Sequence, residues 1–61
     1  MQTSDMIEYA RQRAKETGRA YLIHGWVDAD GGWHRKVIPD FPGNRRMIET
    51  LGETIFLKVT P

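Results

Sequence analysis

The chain contains no cysteine. Disulfides, thiolate metal centres and cysteine nucleophiles are therefore excluded. Its two histidines, without cysteine partners, are too few for a structural zinc site. Long apolar runs are missing as well. Nothing approaches the ~20 residues of a membrane span, and the N-terminus lacks the apolar core of a signal peptide. The expected setting is cytoplasmic, without membrane contact. Charge of one sign is also scarce, with nine Lys and Arg against eight Asp and Glu and a net charge of +1. A general nucleic-acid binder would be strongly basic, and a mimic of DNA strongly acidic. There is no phosphate-binding glycine loop and no nucleophile elbow. No cofactor is expected, and neither repeats nor low-complexity segments occur.

Sixty-one residues make a single domain, spanning 1–61. A chain of this size buries only about 60% of its unfolded surface. Small folds usually add a disulfide, a metal or a partner subunit to offset the entropy of ordering. With the first two excluded, tight packing or association remains. Association is the expectation, with a homodimer as its simplest form.

The most structured stretch is Arg19 to Pro39, RAYLIHGWVDADGGWHRKVIP. Two runs rich in β-branched and aromatic residues flank Asp28-Ala29-Asp30-Gly31-Gly32, whose residues suit a tight reversal. The segment reads as a β-hairpin. A turn centred on Asp30-Gly31 sets Asp28 opposite Trp33, Val27 opposite His34, Trp26 opposite Arg35 and His24 opposite Val37. Strand side chains alternate between faces. One face then carries Tyr21, Ile23, Gly25, Val27, His34, Lys36 and Ile38, and the other Leu22, His24, Trp26, Asp28, Trp33, Arg35 and Val37. Both faces hold large apolar groups, whereas a half-buried antiparallel hairpin has one apolar and one polar face. A bulge near the glycine pair would shift this register by one residue.

Met1 to Thr3 read as frayed. A helix is expected from Ser4 or Asp5 to Thr17, with Asp5 and Glu8 as a capping box and Gly18 as the stop. Its apolar stripe, Met6 or Ile7 with Ala10 and Ala14, is thin but permits close approach to a sheet. Pro39-Asp40-Phe41-Pro42-Gly43-Asn44 is a rigid connection. Asn44 is the expected N-cap of a short helix, Arg45 to Leu51, ended by Gly52. Glu53 to Thr60 alternates as a strand, with Pro61 halting pairing. The fold class is α+β, in the order α-β-β-α-β. The expected sheet is three-stranded and antiparallel, in the order 2-1-3, with both helices packed on the face bearing Ile23, Val27, Ile38, Ile55, Leu57 and Val59.

That arrangement leaves an aromatic face uncovered. Trp26, Trp33, Arg35 and Phe56 form its expected centre, with His24 among them and Arg45 and Arg46 as a charged rim. Exposed apolar area of this kind marks partner sites, and Trp and Arg are enriched at binding hot spots. Arg45 and Arg46, placed in the first turn of the short helix, oppose its dipole, which suits contact with an acidic partner surface. The same aromatics beside Arg35, His24 and Lys58 could stack bases, but the low net charge argues against phosphate-dominated binding. His24 and His34 invite an acid–base reading, yet the parity above sets them on opposite faces. The loop from Asp28 is no calcium site, because its sixth position is Trp33 and its twelfth Pro39.

Val37-Ile38-Pro39-Asp40-Phe41-Pro42-Gly43-Asn44 is similar to the strand-end segment of HicA-type ribonuclease toxins. The likeness covers about eight residues. It would imply a small ribonuclease, but the Gly-Ser-His that carries that family's catalytic histidine is missing, and this chain ends in a strand where the family has a helix. The likeness assigns no catalytic residue. The expected function is a small non-enzymatic protein-interaction module that binds another protein, itself, or both. Its size and mixed charge fit the inhibitors that phages and mobile elements use to occlude host protein surfaces, an association rather than a derivation.

Overall fold

The computed structural model describes Thr3 to Pro61. Its elements are α1 (Thr3–Thr17), β1 (Tyr21–Val27), β2 (Trp33–Pro39), α2 (Pro42–Leu51) and β3 (Thr54–Val59). The class and order are those expected. The fraying anticipated for Met1 and Gln2 lies outside the described residues, while Thr3 already belongs to α1.

In α1, Met6, Ala10 and Ala14 recur at every fourth position and are all buried. The helix begins before Asp5, so Asp5 sits in the first turn, where a negative charge complements the dipole, rather than at the cap. Gly18 ends it in the left-handed conformation, φ 68°, and its N–H donates to the Ala14 carbonyl at 2.9 Å.

The sheet has the order β2-β1-β3, antiparallel throughout. The hairpin register differs by one residue from the expected pairing. Val27 faces Trp33, Trp26 faces His34, Gly25 faces Arg35 and His24 faces Lys36. The cause is the loop. The Asp28 carboxylate accepts from the Asp30 and Gly32 N–H groups, at 3.0 and 2.8 Å. Gly31 takes φ 84°. Asp28 to Gly32 thereby close as an odd-numbered loop, and every side chain of β2 moves to the other face. On the second side of β1, Ile23 faces Leu57 but His24 faces Ile55, so Phe56 is the extra residue of a bulge.

Of the two helices, α1 contacts all three strands of the sheet. α1 lies on the face carrying Tyr21, Ile23 and Val59, with Ile7 and Val37 packed at its margin. Leu22 and His24 are buried on the reverse face. The buried Ile48 of α2 lines a common hollow with Glu53 and Ile55, and Glu53 bonds to His24. The molecule measures 36 × 26 × 11 Å. Three strands ~4.8 Å apart account for the shortest dimension. Tyr21 and Ile23 on one face of β1 and Leu22 and His24 on the other are all buried, which answers the two-sided hydrophobicity of this strand.

α2 starts earlier than expected. Phe41, extended at φ −106° and ψ 150°, is its N-cap, and Pro42 supplies the first turn. Asn44 is not the cap. Its side-chain amide donates to the Pro39 carbonyl at 2.8 Å, bracing the connection from β2. Gly52 closes the helix at φ 70°.

Candidate interaction surface

The register and the bulge together create one surface feature. Trp33 of β2 and Phe56 of β3 reach the same side of the sheet and meet edge to face, with ring centroids 5.3 Å apart and planes at 72°. The Arg35 guanidinium lies 5.1 Å from the centre of the Phe56 ring, a favourable cation–π placement. Gly25 of β1 lies beneath. A Cβ there would strike the His34 carbonyl oxygen and come within 3.0 Å of Phe56 Cε2. The rings can close over β1 because Gly25 offers no side chain. Trp33 nevertheless stays 51% exposed and Phe56 39%.

Three of the four residues expected at the centre are therefore brought together. Trp26 is not among them. It lies on the reverse face, stacked on His34 at 5.2 Å with planes 17° apart, and Lys36 Nζ stands 5.6 Å from its ring centre. The two indoles share only a rim. β3 pairs no further along β1 than Gly25. The open hollow beyond, about 520 Å³, is bordered by Trp26, Val27, Trp33 and Leu51.

The histidines also differ from expectation. The observed register sets His24 and His34 on one face, but in different environments. His24 is 2% exposed; its Nδ1 lies 2.5 Å from Glu53 Oε1, and its Nε2 is buried without a hydrogen-bond partner. A ring so enclosed is a core residue and contributes nothing to an exposed surface. His34 is exposed, with Nε2 at 2.7 Å from Asp28 Oδ2. That bond, with the Gly32 and Asp30 amides, holds the Asp28 carboxyl below its usual range.

Arg45 and Arg46 fall in the second turn of α2, because the helix begins at Pro42. The opposition to the helix dipole is correspondingly weak. Arg45 is engaged by Asp40, Nε to Oδ1 at 2.5 Å and NH2 to Oδ2 at 2.9 Å. This pairing is the main cause that lowers the Asp40 carboxyl, with Lys58 adding to it. Arg45 therefore braces the β2–α2 connection, and only Arg46 retains the character of a rim charge. Arg19 is likewise occupied, 4.4 Å above the Phe41 ring.

Sequence reasoning did not single out the groove beside β2. Met6 and Tyr9 of α1 form one wall and the outer part of β2, from Trp33 to Ile38, the other; the space is about 510 Å³. The signal was Tyr9, an aromatic at the flank of the helix stripe, 49% exposed. Among the described residues no group of three His, Asp or Glu is placed to hold a metal. No helix among them is long and apolar enough to cross a membrane. No protein-family model, curated protein or solved structure matches this chain.

Proposed function

We propose that the chain is a protein-interaction module that docks through Trp33, Arg35 and Phe56. The observation that supports this reading is the state of Trp33. The indole is fixed by an edge-to-face contact, yet half of its surface faces solvent. A large apolar ring held in one position has little rotamer freedom left to lose on binding. Trp and Arg side by side are the composition of a hot spot. Such a patch occludes a partner's surface; it performs no chemistry on it. Base stacking is the less favoured use. Arg35 stands over Phe56, Asp28 adds a carboxylate beside His34, and the net charge is only +1.

The test is affinity capture on immobilised full-length protein, wild type against Trp33→Ala. A partner retained by the wild type should be lost from the variant, whose far-ultraviolet circular dichroism is unchanged. A partner held equally by both proteins contradicts the proposal.

A further inference from the structure

The outer edge of β2 has no strand partner among the described residues. β2 pairs with β1 over seven residues without a bulge, and among the described residues nothing pairs with its other side. Proteins blunt free edges with charge, proline or bulges, because an open ladder recruits further strands. β3, the opposite edge, carries a bulge and ends before Pro61. β2 has no bulge. It carries His34, Arg35 and Lys36 in succession, all exposed, and no carboxylate between Trp33 and Pro39.

Those charges decide what can pair there. A second copy of β2 in a register centred on this segment would set cation against cation, and like charges directly opposite destabilise a strand pair. An extended segment with carboxylates meets the reverse condition. His34 and Lys36 project to one face, and Arg35 with Trp33 to the other. The groove between Tyr9 and β2 lies alongside, with space for apolar side chains.

We infer that the outer edge of β2 accepts an acidic, extended peptide segment of a partner protein as a fourth strand. Backbone hydrogen bonds to the free edge hold it. Its carboxylates face Lys36, beside a His34 that Asp28 already engages, and its alternate apolar side chains lie along Trp33 and Val37 toward Tyr9. This inference rests on the interaction-module reading and specifies how a partner engages it.

The probe is a fluorescein-labelled peptide of alternating glutamate and valine, matched to the seven residues of β2, with the lysine–valine peptide as control. Binding is read by anisotropy. Its location is read from amide resonances of the full chain labelled with nitrogen-15. The expected result is binding of the glutamate peptide alone, with shifts concentrated on Trp33 to Ile38 and Tyr9. Lys36→Gln should weaken it several-fold, and the double replacement Arg35→Glu with Lys36→Glu should transfer preference to the lysine peptide. Both substituted positions are exposed on β2, so retained β1 resonances verify the fold of each variant.

Three peptide results each overturn the inference: no glutamate-peptide binding at millimolar concentration, equal binding of both peptides, or shifts confined to β3 or α2. A single-stranded oligothymidine that binds the same amides more tightly overturns it in favour of nucleic acid. Should the glutamate peptide fail while a captured partner still depends on Trp33, the strand-addition inference falls and the module reading stands. Should the peptide bind while Trp33→Ala leaves partner capture unchanged, the reverse holds.

Discussion

Trp33 and Phe56 touch across a strand that belongs to neither. β2 and β3 both pair with β1 and not with each other, yet the two rings meet 5.3 Å apart above Gly25. The contact depends on a position without a side chain. Gly25→Ala should therefore be among the most damaging single changes in the molecule. The added carbon meets the His34 backbone carbonyl, which has no rotamer by which to yield, as well as Phe56. A loss of about 3 kcal/mol or more is expected, read as a lower urea midpoint. A loss below ~1 kcal/mol would show that β2 can shift to accept it.

The ring pair itself should be separable from the rest of the fold. Edge-to-face aromatic pairs contribute ~0.5–1.5 kcal/mol beyond their buried area. A double-mutant cycle on Trp33→Ala and Phe56→Ala should return a coupling within that range. Either single change should leave the strands intact, because both rings lie outside the cluster formed by Met6, Ala10, Ala14, Tyr21, Ile23 and Val59. Strict additivity would mean that the two rings are placed independently.

Acid should loosen the hairpin loop. Asp28 holds two loop amides and His34, and its folded-state pKa lies below the unfolded one, chiefly through the His34 bond. Its contribution is therefore present above the ordinary aspartate pKa of about 4 and is lost as pH falls through the lower folded value. Asp40, lowered mainly by Arg45, acts in the same direction. The midpoint of urea unfolding should fall as pH drops below about 4. Asp28→Asn should lower stability at neutral pH and flatten this acid dependence. Identical pH profiles for the two proteins would assign the acid sensitivity to other groups.

The buried His24–Glu53 pair predicts an asymmetry. Glu53→Ala strands both ring nitrogens of His24, since Nε2 already lacks a partner. Leaving a buried polar group unsatisfied costs ~1–3 kcal/mol. Replacing both residues, His24→Leu with Glu53→Met, removes the polar atoms together and should be milder than Glu53→Ala alone. Thermal melts of the three proteins give the comparison. A double variant less stable than the single would show that the pair contributes net stability.

Much of the fold was legible in the residues. The hairpin followed from two β-rich runs around Asp28 to Gly32, and the antiparallel 2-1-3 order from the long connection between Pro39 and Glu53. The stops at Gly18 and Gly52 followed from glycine's tolerance of positive φ. The register was not legible, because it depends on how many loop residues the Asp28 carboxylate gathers, and one residue reverses every face. That single step separated Trp26 from Trp33 and moved His34 to the face of His24. The bulge at Phe56 was equally hidden, since alternation along Ile55, Leu57 and Val59 reads as unbroken. The two greasy sides of β1 were visible, but the His24–Glu53 bond that meets one of them was not, because it joins residues far apart in the chain.

The most direct test of the proposed docking surface is acrylamide quenching of Trp33 fluorescence in Trp26→Phe protein, measured alone and with a captured partner. The account predicts an indole readily quenched in the free protein and shielded, with blue-shifted emission, in the complex. Quenching that is unchanged by the partner, or an indole already shielded in the free chain, would contradict it.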